Sequence, residues 1–208
     1  MKTRRNKVIL LVIYFLALIL SCINPIYPHE MYLQHSATII MMGFMIYITV
    51  KNNLSDRSFL CFFIFMIFHI IGARWIYSFT PYNSGIKTLT GFNINEFFGW
   101  TRNNYDRFIH FIFGFLFLVP VSEIYEKWFH LPKRFVFHVA FLFILGSSMF
   151  YELFEWVISI ALSPEETEAY NGQQGDMWDS QKDMALAMTG GMVMISIRRL
   201  TLVVKRLR

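Results

Sequence analysis

The chain has 208 residues, of which 55% are hydrophobic and only 16% are charged, with 23 Phe and 12 Met. Soluble domains carry about 25% charged residues, and a soluble protein of this length could not bury so much apolar surface. The composition therefore excludes an ordinary soluble domain and predicts an all-α integral membrane protein. The net charge of +5 fits contact with anionic membrane lipids, and we expect no nucleic-acid partner.

Six apolar stretches follow one another along the chain, and each is about as long as an α-helix needs to cross ~30 Å of hydrocarbon. In chain order they are Val8–Ile23, Met31–Val50, Phe59–Phe79, Arg107–Ile124, Phe135–Ala161 and Gln181–Ile197. No repeat, low-complexity tract or linker separates them. The sequence thus predicts one polytopic transmembrane domain over residues 1–208, a single bundle of about six transmembrane helices.

The first stretch follows a basic tail, a pattern that secretory signal peptides share. Leu20 is bulky where a cleavage site carries a small residue, so we interpret the stretch as an uncleaved helix. The second loop, the fourth loop and the C-terminal tail are also basic, with Lys51, Arg57, Lys127, Lys133, Arg134, Arg198, Arg199, Lys205, Arg206 and Arg208. Because positively charged loops stay on the cytoplasmic side, both termini are predicted to be cytoplasmic.

The loop at residues 80–104 mixes turn-forming residues with aromatic ones. Pro81, Asn83 and Gly85 predict a turn at its beginning. The aromatic patch that follows predicts a short helix in the membrane interface and contains Phe92, Phe97, Phe98 and Trp100. On the predicted topology this loop is extracytoplasmic.

Candidate functional residues begin at the end of the third stretch. Arg74 lies there, and Asp106 and His110 follow at the start of the fourth stretch with a spacing of four. That spacing puts both side chains on one helix face. Arg107 lies between them. A charge at membrane depth costs at least a few kcal/mol, so these residues are candidates for a functional site.

The fifth and sixth stretches add five carboxylates. Glu152 and Glu155 lie in the outer half of the fifth stretch. Asp176, Asp179 and Asp183 form a stripe where the last loop enters the sixth. The predicted topology brings all of them to the membrane face that holds the start of the fourth stretch. We therefore predict one polar site at the extracytoplasmic face, shared by four helices.

The predicted site contains six acids and only three bases, which are Arg74, Arg107 and Lys182. Like charges packed in a low dielectric cannot all stay ionised, so the group must share protons, reach water or bind a cation. An imidazole among carboxylates suits a divalent ion such as zinc, manganese or iron. The candidate metal ligands are His110, Glu155, Asp179 and Asp183. No paired histidine and glutamate motif accompanies them, so the identity of a cofactor stays open.

Two other interpretations of these charges remain open. They can be interhelical ion pairs of a purely structural membrane protein, such as Arg74 with Glu152 or Arg107 with Asp179. They can also carry protons or a cation through a small transporter. The structural interpretation leaves the excess of acids unexplained. The nearly apolar inner halves of the stretches favour a one-sided site over a transport path.

Three segments, Tyr105–Phe111, Glu152–Trp156 and Gly175–Met184, resemble the YjdF-type family of bacterial inner-membrane proteins. The resemblance runs over most of the chain, and the last segment is the most specific. That family has no settled activity. The resemblance therefore implies a membrane protein with one polar site across three helices and leaves its chemistry open.

The same segments are distantly similar to VanZ-like membrane proteins, some of which are linked to glycopeptide-antibiotic resistance. Those proteins share an Asp-Lys-x-x-His-Phe start, which is matched here by Asp106, Arg107, His110 and Phe111. Their later Asp-x-x-x-Asn-x-x-Gly pattern is met only by Asp183 and Gly190, since Ala187 stands at the position of the Asn.

These observations favour an envelope enzyme or binder that acts on a small polar, lipid-linked or headgroup substrate. In this hypothesis His110 is the general base or a metal ligand, Asp106 orients it, and the two arginines hold a phosphate. The candidate catalytic residues are Asp106, His110, Glu155 and Asp183. The candidate substrate-binding residues are Arg74, Arg107, Glu152, Asp176 and Asp179. Substrate, reaction and oligomeric state stay open.

Overall fold

The computed structural model describes residues 2–163, 167 and 170–207. Its helices are α1 (Lys2–Ser21), α2 (Pro28–Lys51), α3 (Asp56–Arg74), α4 (Tyr82–Thr90), α5 (Ile94–Phe98), α6 (Tyr105–Lys127), α7 (Lys133–Ala161) and α8 (Asp179–Leu207). Over the described residues the chain is helical and contains no strand. The all-α fold class predicted from composition is confirmed.

Four helices, α2, α3, α6 and α7, are long and apolar enough to cross a membrane. Helices α1 and α8 have 20 and 29 residues but carry charged residues near their ends, which lowers their mean hydropathy. A membrane crossing by these two helices, and hence the number of six, stays a prediction. The orientation of the termini stays a prediction as well.

Local signals explain where several helices begin. Pro28 is the first residue of α2, where its missing N–H would be unpaired in any case. The side chain of Ser55 accepts a hydrogen bond from the Ser58 N–H and caps α3. The loop between α3 and α6 differs from the prediction, because Asn83 and Gly85 lie inside α4 instead of forming a turn.

Helix α6 is central: it packs most extensively against α8 and also against α3 and α7, while α1 and α2 complete the bundle beside α3. The core between these helices is apolar and aromatic. It includes Tyr14, Met45, Phe62, Phe117, Leu118 and Ile144. The hydroxyl of Tyr14 donates to the Thr38 carbonyl oxygen at 2.7 Å, so the polar group of this buried ring is paired.

Helices α6 and α8 run side by side in the same direction and approach closely at two glycines. A Cβ added at Gly114 would lie 1.8 Å from the carbonyl oxygen of Ala187. A Cβ added at Gly190 would lie 2.1 Å from the carbonyl oxygen of Phe111. Only glycine permits backbones to come this close, as at the small-residue contacts of membrane helices.

Basic side chains gather at the end of the bundle opposite to the start of α6. Lys7 donates to the Leu54 carbonyl oxygen at 2.6 Å, and Lys127 donates to the Asn53 carbonyl oxygen at 3.3 Å. Arg198 of α8 lies 5.2 Å from a ring centroid at the start of α7. Of the basic residues that predict the topology, Arg208 and the side chains of Lys2, Lys205 and Arg206 lie outside the described residues.

Candidate functional site

The starts of α6 and α8 lie together at one end of the bundle, and their register sets the site. His110 and Asp183 lie four residues before Gly114 and Ala187, respectively. A spacing of four keeps side chains on one helix face, so the contact between Gly114 and Ala187 brings these two residues together. One ligand atom each from Asp106, His110 and Asp183 lies within 4.8 Å of the other two.

Helix α7 adds a carboxylate from a third side. The Nε2 atom of His110 lies 3.6 Å from Glu152 Oε1 and 3.7 Å from Asp106 Oδ1. The Ser180 side chain interacts with the Glu152 carboxylate. Within the described part of the chain, Glu152 Oε1 and Asp183 Oδ1 are buried and have no hydrogen-bond partner.

Glu155 lies one turn further along α7. The Tyr151 side chain interacts with its carboxylate, which also interacts electrostatically with the nearby acids. We term five residues the acidic cluster: Asp106, His110, Glu152, Glu155 and Asp183. Over residues 2–163, 167 and 170–207, no Lys or Arg forms an ion pair with any of its four carboxylates.

A second group of charges lies beside the acidic cluster. Arg102 donates to both carboxylate oxygens of Asp179, at 2.6 and 3.4 Å. Arg107 donates to Asp179 Oδ1 at 3.1 Å and also to Asp176. Lys182 donates to Asp176 at 2.5 Å. We term these five residues the ion-pair layer. It holds three cations and two carboxylates, whereas the acidic cluster holds four carboxylates and one histidine.

The ion-pair layer also fixes the loop that precedes α8. Arg102 donates to the carbonyl oxygens of Gly172 and Gln173 at 3.3 and 3.2 Å. Hydrogen bonds from Lys182, from the Trp178 N–H and from Arg107 hold the pKa of Asp176 below its usual value. Asp176 is therefore ionised at neutral pH and ties this loop to α6.

A lateral cleft of about 670 Å³ opens between α2 and α7. Its walls are apolar and include Ile40 and Phe150, which are 74% and 70% exposed. Because these exposed residues lie within long apolar helices, the cleft opens on the side of the bundle, towards lipid. Asp106 and His110 line the end of the cleft nearest the start of α6. The lateral cleft therefore meets the acidic cluster.

Two further polar side chains line the lateral cleft: His69 of α3, and Tyr77 of a strained turn that follows α3. Ile76 and Tyr77 have φ values of 42° and 57°, a region that branched and bulky residues rarely adopt. The turn places the Tyr77 hydroxyl 2.5 Å from His69 Nδ1, and both residues line the cleft. Strained backbone of this kind persists only where its surroundings hold it, and it is concentrated at functional sites.

Tyr170 is another tyrosine on the cleft wall. Burial, and next the negative charge of Glu155, raise the pKa of Tyr170 above its usual value. The phenol therefore stays protonated at neutral pH and can donate a hydrogen bond.

A second cavity, of about 840 Å³, lies on the other side of α6, between the short helices α4 and α5 and the starts of α6 and α8. Aromatic residues such as Phe98 and Trp100 line it together with Arg107 and Lys182. The two cavities thus flank α6, one beside the acidic cluster and one beside the cations of the ion-pair layer.

The structure brings eight of the nine predicted site residues together, but Arg74, at the same end of the bundle, is bound to the end of α1. Its Nη1 donates to the carbonyl oxygens of Leu20, Ser21 and Ile23 at 3.2, 2.8 and 2.7 Å. The prediction that Arg74 lies at the edge of the site is corrected accordingly, as is the alternative interpretation in which it pairs with Glu152. Carbonyl groups at a helix end lack partners within the helix, and Arg74 satisfies those of α1.

Two other assignments change with the geometry. Asp179, predicted as a metal ligand, instead pairs with Arg102 and Arg107. Glu155, also predicted as a metal ligand, is not among the residues whose ligand atoms lie within 4.8 Å of one another, which are Asp106, His110 and Asp183. Asp106, predicted only to orient His110, is one of these three.

Sequence reasoning missed Arg102. It lies in a loop, outside the apolar stretches, where a lone charge reads as solvated. The only signal was that it is a basic residue close before Asp106 on a side of the membrane where basic residues are rare. Tyr77, Tyr151 and Tyr170 carried no signal, because aromatic residues are frequent throughout this chain.

Comparison with known proteins identifies the family. Residues 6–203 match the family model described as "Predicted membrane protein (DUF2238)". This chain belongs to the DUF2238 family. It is also 28% identical over 166 residues to "Inner membrane protein YjdF" of Escherichia coli (strain K12). The aligned segment covers 78% of this chain and 74% of that protein. No solved structure gives a significant match.

Family membership and the apolar helices confirm two predictions. This DUF2238 protein is of the YjdF type, and it is a multi-pass protein of the inner membrane. The distant similarity to VanZ-like proteins stays a prediction.

Proposed function

We propose that this DUF2238 protein binds and acts on an amphiphilic molecule at the extracytoplasmic face of the inner membrane. The chain of the amphiphile lies in the lateral cleft, and its polar head reaches the acidic cluster. The observation that carries this proposal is that Asp106 and His110 belong to both the cleft lining and the cluster. His110, between Asp106 and Glu152, is the side chain that would act on the head, either by taking a proton from it or as the ligand of a cation that contacts it.

The length of the lateral cleft supports an occupant of one leaflet. Along α6 its lining runs from Asp106 to Phe117, and along α7 from Phe143 to Phe154. Eleven residues of α-helix extend about 16 Å, which is roughly half of the ~30 Å hydrocarbon thickness. A hydrocarbon chain in the cleft would therefore end near the middle of the bilayer, while its head stays at the membrane surface.

The charge balance argues against a purely structural role for the acidic cluster. In the ion-pair layer each carboxylate has at least two cationic neighbours within 4 Å. Among the described residues, His110 is the one basic side chain within 4 Å of a carboxylate of the acidic cluster. Three buried carboxylates and the partly buried Asp106 need positive charge nearby, which an amine of the head or a bound metal ion would supply.

Apolar packing below the cluster favours a one-sided site over a transport path. Phe65, Phe113 and Phe117 pack together with 4.8 to 5.9 Å between ring centroids. These rings lie on α3 and α6 between the acidic cluster and the opposite, basic end, where they also line the lateral cleft. A proton or cation pathway would need polar groups there.

The test fills the lateral cleft without disturbing the fold. Gly146 lines the cleft, and a Cβ added there has nothing within 4 Å. In Gly146→Phe the new ring occupies the space of the chain. Gly43→Phe is the matched control, because Gly43 is equally open but lies outside the cleft lining. Each protein is purified in mild detergent, and retained amphiphiles are identified by native mass spectrometry.

We expect the wild type and Gly43→Phe to retain a defined amphiphile at about one copy per chain, and Gly146→Phe to lose it. The His110→Gln protein should still retain the amphiphile but should no longer convert it to a product. Equal retention in the wild type and Gly146→Phe, or no retained amphiphile in the wild type, would overturn the proposal.

A further inference from the structure

We propose that the acidic cluster is a binding site for one divalent transition-metal ion, held by His110, Asp106, Asp183 and Glu152. The proposal concerns this cluster alone and does not depend on what occupies the lateral cleft. It also differs from the ligand set that the sequence predicts, since it excludes Asp179 and Glu155 and includes Asp106 and Glu152.

The distances fit a small divalent ion. Zinc binds histidine nitrogen and carboxylate oxygen at about 2.0–2.2 Å, so neighbouring ligand atoms in a tetrahedral site are about 3.4 Å apart. His110 Nε2 lies 3.6 Å from Glu152 Oε1 and 3.7 Å from Asp106 Oδ1. The atoms of Asp106, His110 and Asp183 lie within 4.8 Å of one another. The distances between these ligand atoms need to shorten by at most about 1.4 Å to reach those of a tetrahedral site.

Unpaired oxygens give the second and independent indication. Glu152 and Asp183 are 6% and 2% exposed. In the part of the chain that the structure describes, one carboxylate oxygen of each has no hydrogen-bond partner. The unpaired oxygen of Glu152 is the atom that faces His110 Nε2. A buried carboxylate oxygen without a partner is costly, and a metal ion at this point satisfies it.

No Lys or Arg side chain in the described part of the chain forms an ion pair with the acidic cluster. The nearest guanidinium groups, those of Arg102 and Arg107, donate to Asp176 and Asp179. Helices α6, α7 and α8 each contribute ligands, so the ion would bind three helices to one another. Site geometry fixed by packed helices is what metal binding requires.

The donor set indicates the class of metal. One imidazole nitrogen with carboxylate oxygens suits Zn²⁺, Mn²⁺ or Fe²⁺, whereas Mg²⁺ and Ca²⁺ prefer oxygen alone and copper(I) prefers sulfur. Neither cysteine belongs to the group: Cys22 lies after the end of α1, and Cys61 lies in the first half of α3.

The experiment measures metal binding without any lipid substrate. Protein purified in detergent is stripped with chelator and titrated with Mn²⁺ and, separately, with Zn²⁺, and bound metal is counted by mass spectrometry. We expect saturation at about one ion per chain. His110→Ala, Asp183→Asn and Asp106→Asn should each weaken binding by at least about tenfold. Nitrogen modulation in the Mn²⁺ electron-spin-echo spectrum should vanish in His110→Ala.

Two exposed positions provide matched controls. His138→Ala removes an exposed histidine of α7, and Glu126→Gln removes a carboxylate that is 43% exposed; both should bind metal as the wild type does. All variants are compared on the monodisperse fraction, so a variant that fails to fold is replaced by the next ligand substitution. Absence of saturable binding in the wild type, or unchanged affinity in the ligand variants, would overturn the metal site. Metal binding without amphiphile retention would overturn only the proposed function, and the reverse result only the metal site.

Discussion

Asp179 and Asp183 lie one turn apart on α8, and they belong to two regions with opposite electrostatics. Both are buried, at 4% and 2% exposure. Asp179 receives hydrogen bonds from two guanidinium groups. Asp183 faces His110 and other carboxylates, and one of its oxygens has no hydrogen-bond partner among the described residues. Burial alone therefore does not tell a structural carboxylate from a functional one, whereas its partners do.

The ion-pair layer connects the loops that precede α6 and α8. Each of its two carboxylates is paired with at least two cations. Removing one partner there leaves an uncompensated charge. In the acidic cluster the same removal relieves repulsion between like charges. The four predictions below compare these responses, and each is measured by thermal unfolding in detergent with chelator present.

The largest effect is expected where both regions depend on one helix contact. In Gly114→Leu the side chain would collide with the Ala187 carbonyl group and separate α6 from α8. We expect a loss of more than about 4 kcal/mol in the free energy of unfolding, or no monodisperse protein. Gly43→Leu, at an open position, should be at least as stable as the wild type. A stable Gly114→Leu variant would refute the close crossing.

The second effect is the loss of a shared partner in the ion-pair layer. Asp179→Asn leaves Arg102 and Arg107 without their common carboxylate and should cost about 3–5 kcal/mol. Glu126→Gln breaks an exposed pair with Lys133, 3.4 Å apart, and should cost less than about 1 kcal/mol. If both variants unfolded at the same temperature, the ion-pair layer would not stabilise the fold.

A smaller and pH-dependent effect is expected at Asp176. Its pKa is lower in the folded protein than its usual value, which is about 3.9. The stabilisation is therefore fully present above about pH 4 and is lost as the pH falls further. The difference in melting temperature between the wild type and Asp176→Asn should shrink below about pH 4. A difference that stays constant down to pH 3 would contradict the assignment.

The smallest effect on stability is expected in the acidic cluster. Asp183→Asn removes one of four mutually repelling carboxylates, so without metal its stability should stay within about 1 kcal/mol of the wild type or rise above it. A loss as large as that of Asp179→Asn would mean that the cluster is a scaffold. Once the chelator has been removed, added Zn²⁺ should raise the melting temperature of the wild type and raise that of Asp183→Asn less.

Sequence reasoning predicted those features that depend on spacing along one helix. Asp106 and His110 share a face because they are four residues apart, and the long apolar stretches predicted the helices themselves. The convergence of α6, α7 and α8 followed from matched depth, since a chain that crosses repeatedly must return its polar residues to the same end.

The missed features depend on contacts between distant segments. Arg74 and Arg102 are both close to the predicted site in depth, but the end of α1 binds one and Asp179 binds the other. No periodicity distinguishes these two outcomes, because each depends on the acceptors that a distant segment places nearby: unpaired carbonyl groups at a helix end for Arg74, and a carboxylate for Arg102. The lateral cleft was also missed, since it arises where α2 and α7 fail to pack together and is lined by side chains that look like ordinary lipid-facing ones.

The sideways opening of the lateral cleft has a consequence for how an occupant is measured. A molecule that enters between Ile40 and Phe150 arrives by diffusion within the plane of one leaflet, without passing through water. Its occupancy then follows its mole fraction among the surrounding lipids and not its aqueous concentration. Adding plain lipid at a constant amount of the occupant therefore dilutes it in two dimensions and lowers its occupancy of the cleft.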